Sequence, residues 1–313
     1  MPSAAPSPIV GCDVGKTSIA VFDSRAGHSF CVHNSPAALT AFARSLEPNC
    51  LVVCEATGGY EAELIAALLD AGRPVHRADP SKVKAFIRSF GTLGKTDAID
   101  ARALAQYGQE RHARLPRWQP ADAQRDRLHT LVMTRRDLVA SRLAWANRLD
   151  PPTAAPAQPF IAPVIAMFEQ QIQAIDREIA ALIAAEVSLA RAVATLRTIC
   201  GIGPKTAAAL VALMPELGRL DRRRIAALAG LAPHPRQSGG ADAYRRVHGG
   251  RAEVKRVLFM AALSAARHNP VLRSFRQRLI AAGKKPIVAV VAVMRKLIVI
   301  CNARLRETPP VAA

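Results

Sequence analysis

The chain has 313 residues, half of them hydrophobic and only 4% aromatic, with a formal net charge of +19. That suits two compact units with aliphatic cores, and a pI of about 10.8 asks for a polyanionic partner. Six scattered cysteines without CxxC or zinc spacing, a start without signal-peptide character, and an apolar run (Ile287 to Met294) cut by Arg295 and Lys296 speak against a secreted, zinc-bound or membrane protein, and a reduced cytoplasmic setting is expected.

From Ile9 to Asn34 three short strands are predicted, Ile9–Asp13, Ser18–Phe22 and Ser29–Val32, separated by Gly, Lys, Asp or Ser. A helix over Pro36–Leu46 leads to an apolar strand, Leu51–Glu55, then a helix over Tyr60–Ala71 that stops at Gly72. A further strand at Arg73–Arg77 precedes helices at Ser81–Phe90 and Thr96–Glu110. A three-strand meander followed by alternating helix and strand is the order of an RNase H-like domain, assigned here to residues 8–115.

Residues 120–188 read as a helical connector. Leu128, Leu131, Leu138 and Trp145 fall on helical spacing, a Pro-rich break covers 151–163, and Phe168, Ile172, Ile175, Ile179 and Leu182 form a short heptad seam. The seam suits either a coiled-coil arm for dimerisation or packing within the chain's own unit. Residues 189–307 read as a mostly α domain, with breaks at Gly201–Pro204, Pro215, Gly230, a loop over Pro233–Gly250, and Pro270. Charge is divided unevenly: residues 191–313 hold 23 Lys and Arg against 5 Asp and Glu, a net +18.

The acidic chemistry lies in the other half. Asp13 and Glu55 each end an apolar strand, where an uncompensated buried carboxylate is costly. Asp97 and Asp100 are three apart at a helix start and so share a face. Four carboxylates converging over one sheet edge repel one another unless a divalent cation sits among them, and two magnesium ions there would suit phosphodiester cleavage. In the basic half, Gly201-Ile202-Gly203-Pro204-Lys205 resembles a helix-hairpin-helix, whose backbone N–H groups meet phosphate without reading bases. Ser238 lies in a Gly-rich loop near Arg236, Arg245, Arg246 and Arg251, with His234 and His248 as candidate proton carriers. From the residues alone Ser238 is either a turn residue or a phosphate nucleophile.

The segments Asp13-Val14-Gly15-Lys16, Cys54-Glu55-Ala56-Thr57-Gly58-Gly59-Tyr60 and Gly94-Lys95-Thr96-Asp97-Ala98-Ile99-Asp100-Ala101-Arg102 resemble motifs of the DEDD-type insertion-sequence transposases, the insertion-sequence family one-hundred-ten of bridge-RNA-guided recombinases. Gly201–Pro204, Ala229–Pro233, Ser238-Gly239, Gly249–Arg251, Met260–Ala262 and Met294–Leu297 are similar to its transposase-domain pattern, so the likeness runs from about residue 8 to 307. The resemblance implies a RuvC-like domain holding magnesium on Asp13, Glu55, Asp97 and Asp100, and Ser238 as the nucleophile that joins to DNA. It also implies a homodimer or a tetramer on DNA, in which one subunit's serine serves another's carboxylates, and a non-coding guide RNA. Two departures stand out: the short Pro-rich connector, and Gly15 where many relatives have Ser. Two other classes stay open on the residues: a Holliday-junction-resolvase-like nuclease using metal-activated water, and a non-catalytic helix-hairpin-helix DNA-binding protein.

Overall fold

A computed structural model describes residues 8–90, 97–119, 122–238 and 241–307, over 235–246 as backbone only. The chain divides into two compact units, Met1–Pro120 and Ala121–Ala313.

The first unit is a five-stranded mixed sheet covered by helices on both faces. Strands β1 (Ile9–Val14), β2 (Ser18–Asp23) and β3 (His28–His33) form an antiparallel meander. Helix α1 (Pro36–Ser45) leads to β4 (Leu51–Glu55), parallel to β1, and α2 (Ala62–Asp70) leads to β5 (Val75–Ala78), parallel to β4. Helices α3 (Pro80–Ser89) and α4 (Asp97–Arg111) follow. The strand order β3-β2-β1-β4-β5 is the arrangement expected for an RNase H-like unit. Side chains alternate across a strand, so β1 sends Val10, Cys12 and Val14 into one core with Leu39, Phe42, Leu64 and Leu68. Ile9 goes to the other face, with Val53, Phe86, Leu104 and Tyr107. This alternation turns Gly11 and Asp13 towards the face that α4 covers.

In the second unit α5 (Ala123–Ala146) and α6 (Gln158–Ala185) pack along each other as a helical hairpin. The heptad seam therefore has a partner within the chain: Ile179 and Leu182 are buried in one core with Leu128, and Arg127–Glu178, Arg135–Asp176 and Arg142–Glu169 pair across the two helices. The Pro-rich break is shorter than expected. A 3-10 turn over Pro152–Ala157 is followed by α6 with Pro159 in its first turn and Pro163 inside it. A first-turn N–H has no intrahelical partner, so Pro159 fits there, while Pro163 removes one intrahelical bond and its ring crowds the carbonyl one turn back.

Helices α7 (Val187–Arg197), α8 (Pro204–Leu213), α9 (Arg222–Leu228), α10 (Ala252–His268), α11 (Pro270–Ala281) and α12 (Pro286–Glu307) complete the unit. Every residue of α8 from Ala207 to Leu213 is buried, which makes this short Ala-rich helix the centre of the core. Arg295 and Lys296 interrupt the apolar run Ile287–Met294 but not the helix: α12 has 22 residues in all, by length and composition enough to cross a membrane. In this fold it is a core helix: Val290, Val293, Met294, Leu297, Ile298 and Cys301 are buried against the rest of the unit, while Arg295 and Lys296 fall on its less buried side.

The expected loop at 233–250 is instead largely an antiparallel ribbon, β6 (Pro233–Ser238) paired with β7 (Ala241–Val247), with an irregularity between His234 and Arg236. The strand signal was absent because two prolines and a run of polar residues replace the apolar alternation on which strand prediction depends.

Candidate functional site

Strands β1 and β4 pair in parallel up to Cys12↔Cys54, so Asp13 and Glu55 are the next residue on each strand, at matching positions of adjacent strands. Both are half-buried. Helix α4 lies against the same face. A Cβ at Gly11 would fall 2.0 Å from the Ala101 carbonyl oxygen and 2.5 Å from the Ala105 nitrogen, and one at Gly108 would meet Ile9 and Val53 side chains at 2.7 and 2.8 Å. The helix therefore runs opposite to β1, and its start, with Asp97 and Asp100, lies towards the strand ends that carry Asp13 and Glu55. Gly94, Lys95 and Thr96 of the same motif lie outside the described residues. Among the described residues no three His, Cys, Asp or Glu side chains stand close enough together to hold an ion. What converges is a set of backbone positions bearing four hard oxygen donors.

The loop after Glu55 is built around a residue that the sequence reading passed over. Glu61 is 3% exposed, and its Oε2 accepts from the Thr57 N–H (3.2 Å), the Thr57 hydroxyl (3.1 Å) and the Gly59 N–H (2.9 Å). The Arg77 guanidinium lies 3.5 Å from Oε1 and stacks over Trp118. Burial pushes the Glu61 carboxyl up, but these hydrogen bonds outweigh it and hold it below its ordinary value of 4.5. The signal available in the sequence was a carboxylate directly after Thr-Gly-Gly-Tyr, a spacing that lets a side chain fold back onto a glycine turn.

Glu61→Ala should cost about 2 kcal/mol at neutral pH, since it removes a buried carboxylate that accepts from two backbone donors and one hydroxyl of the loop. A depressed carboxylate contributes stability above its unfolded value, and that contribution is lost as pH falls through the lower folded value. Urea melts from pH 7 to pH 3 should therefore show the wild-type advantage over Glu61→Ala shrinking below about pH 4.5. A gap that stays constant with pH would rule out the charged carboxylate as its source.

In the second unit Ser238 is the last residue of β6, paired with Ala241, the first of β7. Gly239 and Gly240, and the side chains of Arg236, Ser238, Arg245 and Arg246, lie outside the description. The base of the ribbon is well defined. A Cβ at Gly230 would fall 2.2 Å from the Gly249 carbonyl oxygen, and one at Gly250 would fall 2.1 Å from the Gly230 nitrogen, so two glycines of positive φ interlock backbone to backbone. The Arg251 N–H donates to the Leu228 carbonyl at 2.9 Å. Arg251 does not stand free for phosphate: its guanidinium makes a two-pronged pair with Glu216, at 2.6 and 2.7 Å, and also donates to the Leu213 carbonyl. The His234 and His248 rings stack with centroids 4.3 Å apart.

The turn between α7 and α8 presents Gly201 and Gly203, the latter capping α8 without a side-chain acceptor and followed by Pro204. Gly201 packs so closely on α10 that a Cβ would meet the Ala261 carbonyl at 2.7 Å and the Ala265 Cβ at 2.6 Å. Lys205 is exposed but paired with Asp176 at 2.9 Å, and Asp176 is shared with Arg135. Six arginines that the sequence reading left aside, Arg219, Arg222, Arg223, Arg224, Arg304 and Arg306, are exposed on α9, the turn before it and the end of α12.

Residues 10–151 match a family model described as a transposase, and residues 193–277 match one described as the transposase IS116/IS110/IS902 family. Similar curated proteins include the pilin gene-inverting proteins of Moraxella lacunata and Moraxella bovis, 29% and 30% identical over 264 residues, which are 83% of this chain and 81% of each relative. Among solved structures, RuvC of Thermus thermophilus in complex with a Holliday junction substrate is 16% identical, with a TM-score of 0.28, covering 36% of this chain and 99% of that one.

Proposed function

Since this chain belongs to the IS110 family of transposases and acts on DNA as a recombinase, we propose that it cleaves and rejoins the ends of its mobile element and the target DNA through a carboxylate-held metal and a serine nucleophile. The observation that carries this reading is the register of Asp13 beside Glu55 with the α4 start above the same strand ends. Four carboxylates with no His or Cys among them are the donor set of a hard cation, so Asp13, Glu55, Asp97 and Asp100 would hold magnesium. When bound, magnesium supplies Lewis acidity at the phosphate and neutralises charge on the leaving oxygen.

The chain's own residues do the rest. Ser238 attacks phosphorus, the 3′ or 5′ oxygen leaves, and the resulting phosphoserine preserves the bond energy for rejoining. The arginines of the ribbon, Arg236, Arg245 and Arg246, stabilise the anionic transition state. Backbone N–H groups at Gly201, Gly203 and the start of α8 position a DNA phosphate, with Lys205 released from Asp176 to join them. We assign the metal-holding carboxylates to a RuvC-like catalytic domain at residues 8–115, spacing to the helical connector at 120–188, and the serine nucleophile with DNA docking to the transposase domain at 189–307, in a homodimer or a tetramer on DNA. The net +18 of residues 191–313 leaves room for a guide RNA as a second polyanion.

The test is Asp13→Asn, which keeps the shape and removes the charge. Cleavage of element-end DNA in magnesium should fall on the order of 1000-fold, from the loss of metal-based stabilisation, while affinity for the same DNA in EDTA stays unchanged. Wild-type cleavage by Asp13→Asn would sink the metal site.

A further inference from the structure

The ladder between β1 and β4 ends at Cys12↔Cys54, one residue short of both acids. Asp13 is paired outward to Ala20 on β2, and Glu55 outward to Ala78 on β5. The backbone of each acid is thus paired with the strand on its outer side, Asp13 with β2 and Glu55 with β5. Two carboxylates of like charge at adjacent strand ends repel, so their separation depends on how the loops that follow them are held.

One side chain supplies a cross-link. Asn34, the residue after β3, donates through Nδ2 to the Gly15 carbonyl at 2.9 Å and to the Tyr60 carbonyl at 3.2 Å. Gly15 is two residues past Asp13, in the turn between β1 and β2, and Tyr60 is five past Glu55. The Asn34 N–H also donates to the Thr17 carbonyl at 2.9 Å, so the residue is fastened to the turn by main chain and side chain alike. Both side-chain acceptors are carbonyl oxygens. The amide orientation is therefore set by chemistry, because a flipped amide would turn its own oxygen against two others. In this orientation Oδ1 is buried and has no partner among the described residues. An orphaned buried acceptor costs free energy, and it persists here because the two donations on the other side of the amide are worth more. The far side of the Tyr60 loop is held independently, through Glu61 to Thr57 and Gly59.

We propose that Asn34 is a positioning residue whose carboxamide ties the loop after Asp13 to the loop after Glu55, and so sets the separation of the two carboxylates that would share a divalent ion. The inference rests on the acidic quartet being the metal site. Asn34 touches neither ion nor DNA in this role; it acts through the two loops. Outer-shell groups that orient metal ligands are worth about 10- to 100-fold in metal affinity.

The test uses the full chain and manganese as the probe, its binding read by electron paramagnetic resonance in the absence of DNA, with urea melts of the same metal-free samples. Asn34→Ala removes both donations and should weaken manganese binding about 10-fold or more. Asn34→Ser, whose single hydroxyl proton reaches only one carbonyl, should lie between alanine and wild type, and it decides the matter if the alanine variant does not fold. A folded variant that melts earlier yet binds manganese as the wild type does would make Asn34 merely structural and overturn the proposal. Asp13→Asn is run alongside. If it weakens manganese binding while the Asn34 variants do not, the clamp alone is wrong. If Asp13→Asn leaves the affinity unchanged, the metal-site reading falls and the clamp falls with it.

Discussion

Ser238→Ala should eliminate the covalent protein–DNA adduct and lower strand rejoining by on the order of 10,000-fold or more, as removal of a nucleophile does elsewhere. The placement of the residue makes the outcome informative. Ser238 closes β6 at the turn of a ribbon whose base is locked by the Gly230–Gly250 contact and by the Arg251–Glu216 pair. The substitution lies at the end away from that base, so the melting temperature and DNA affinity should stay at wild-type values. Loss of rejoining then reports chemistry and not fold. Labelled element-end DNA, incubated with protein and run under denaturing conditions, separates the possibilities. A metal-dependent nuclease that uses water would cleave equally well with alanine at 238 and would never form an adduct. Undiminished cleavage by Ser238→Ala would therefore end the serine mechanism and favour a resolvase-like reaction on the same carboxylates.

The acidic half was legible in the sequence because its signals are local. An apolar run that reaches a carboxylate, as at Cys12-Asp13 and Cys54-Glu55, is a strand that carries the acid to its C-terminal end, and the strand order follows from the meander and the helices between. The cross-links were not legible, since they depend on partners distant along the chain. Nothing near Asn34 marks it as the residue that meets both Gly15 and Tyr60, and nothing near Arg251 announces Glu216. In the basic half the partners are likewise distant along the chain. Lys205 and Arg251 lie in glycine-rich motifs, and the fold pairs one with Asp176 and the other with Glu216. The glycines themselves carry the information there. They mark backbone approaches, and the motif Ala229–Pro233 is recognisable because Gly230 must admit Gly249 and Gly250.

The same logic gives Gly11→Ala an effect out of proportion to one methyl group. Its Cβ would stand 2.0 Å from the Ala101 carbonyl oxygen, against an ordinary contact of at least 3.4 Å, and the obstacle is helix backbone and not the tip of a flexible side chain. Helix α4 must then withdraw from β1 by about 1 Å or more, which opens the packing of Leu104 and Tyr107 as well. Overpacking of this kind costs about 3 kcal/mol, a large share of a domain's total stability. The second consequence concerns the site. Asp97 and Asp100 ride on the start of α4, so the withdrawal shifts them relative to Asp13 and Glu55, and a misplacement of about 1 Å is worth on the order of 100-fold in rate. Gly108→Ala is the internal control. Its Cβ would meet methyl groups of the buried, β-branched Ile9 and Val53, at 2.7 and 2.8 Å, a clash with side chains and not with helix backbone. Thermal melts and cleavage rates should rank wild type, Gly108→Ala and Gly11→Ala in descending order. If Gly11→Ala keeps its melting temperature but still loses activity, the helix has moved without unfolding, and the position of the α4 start is what the chemistry requires. If it keeps both, the close approach of α4 to β1 does not hold the carboxylates together.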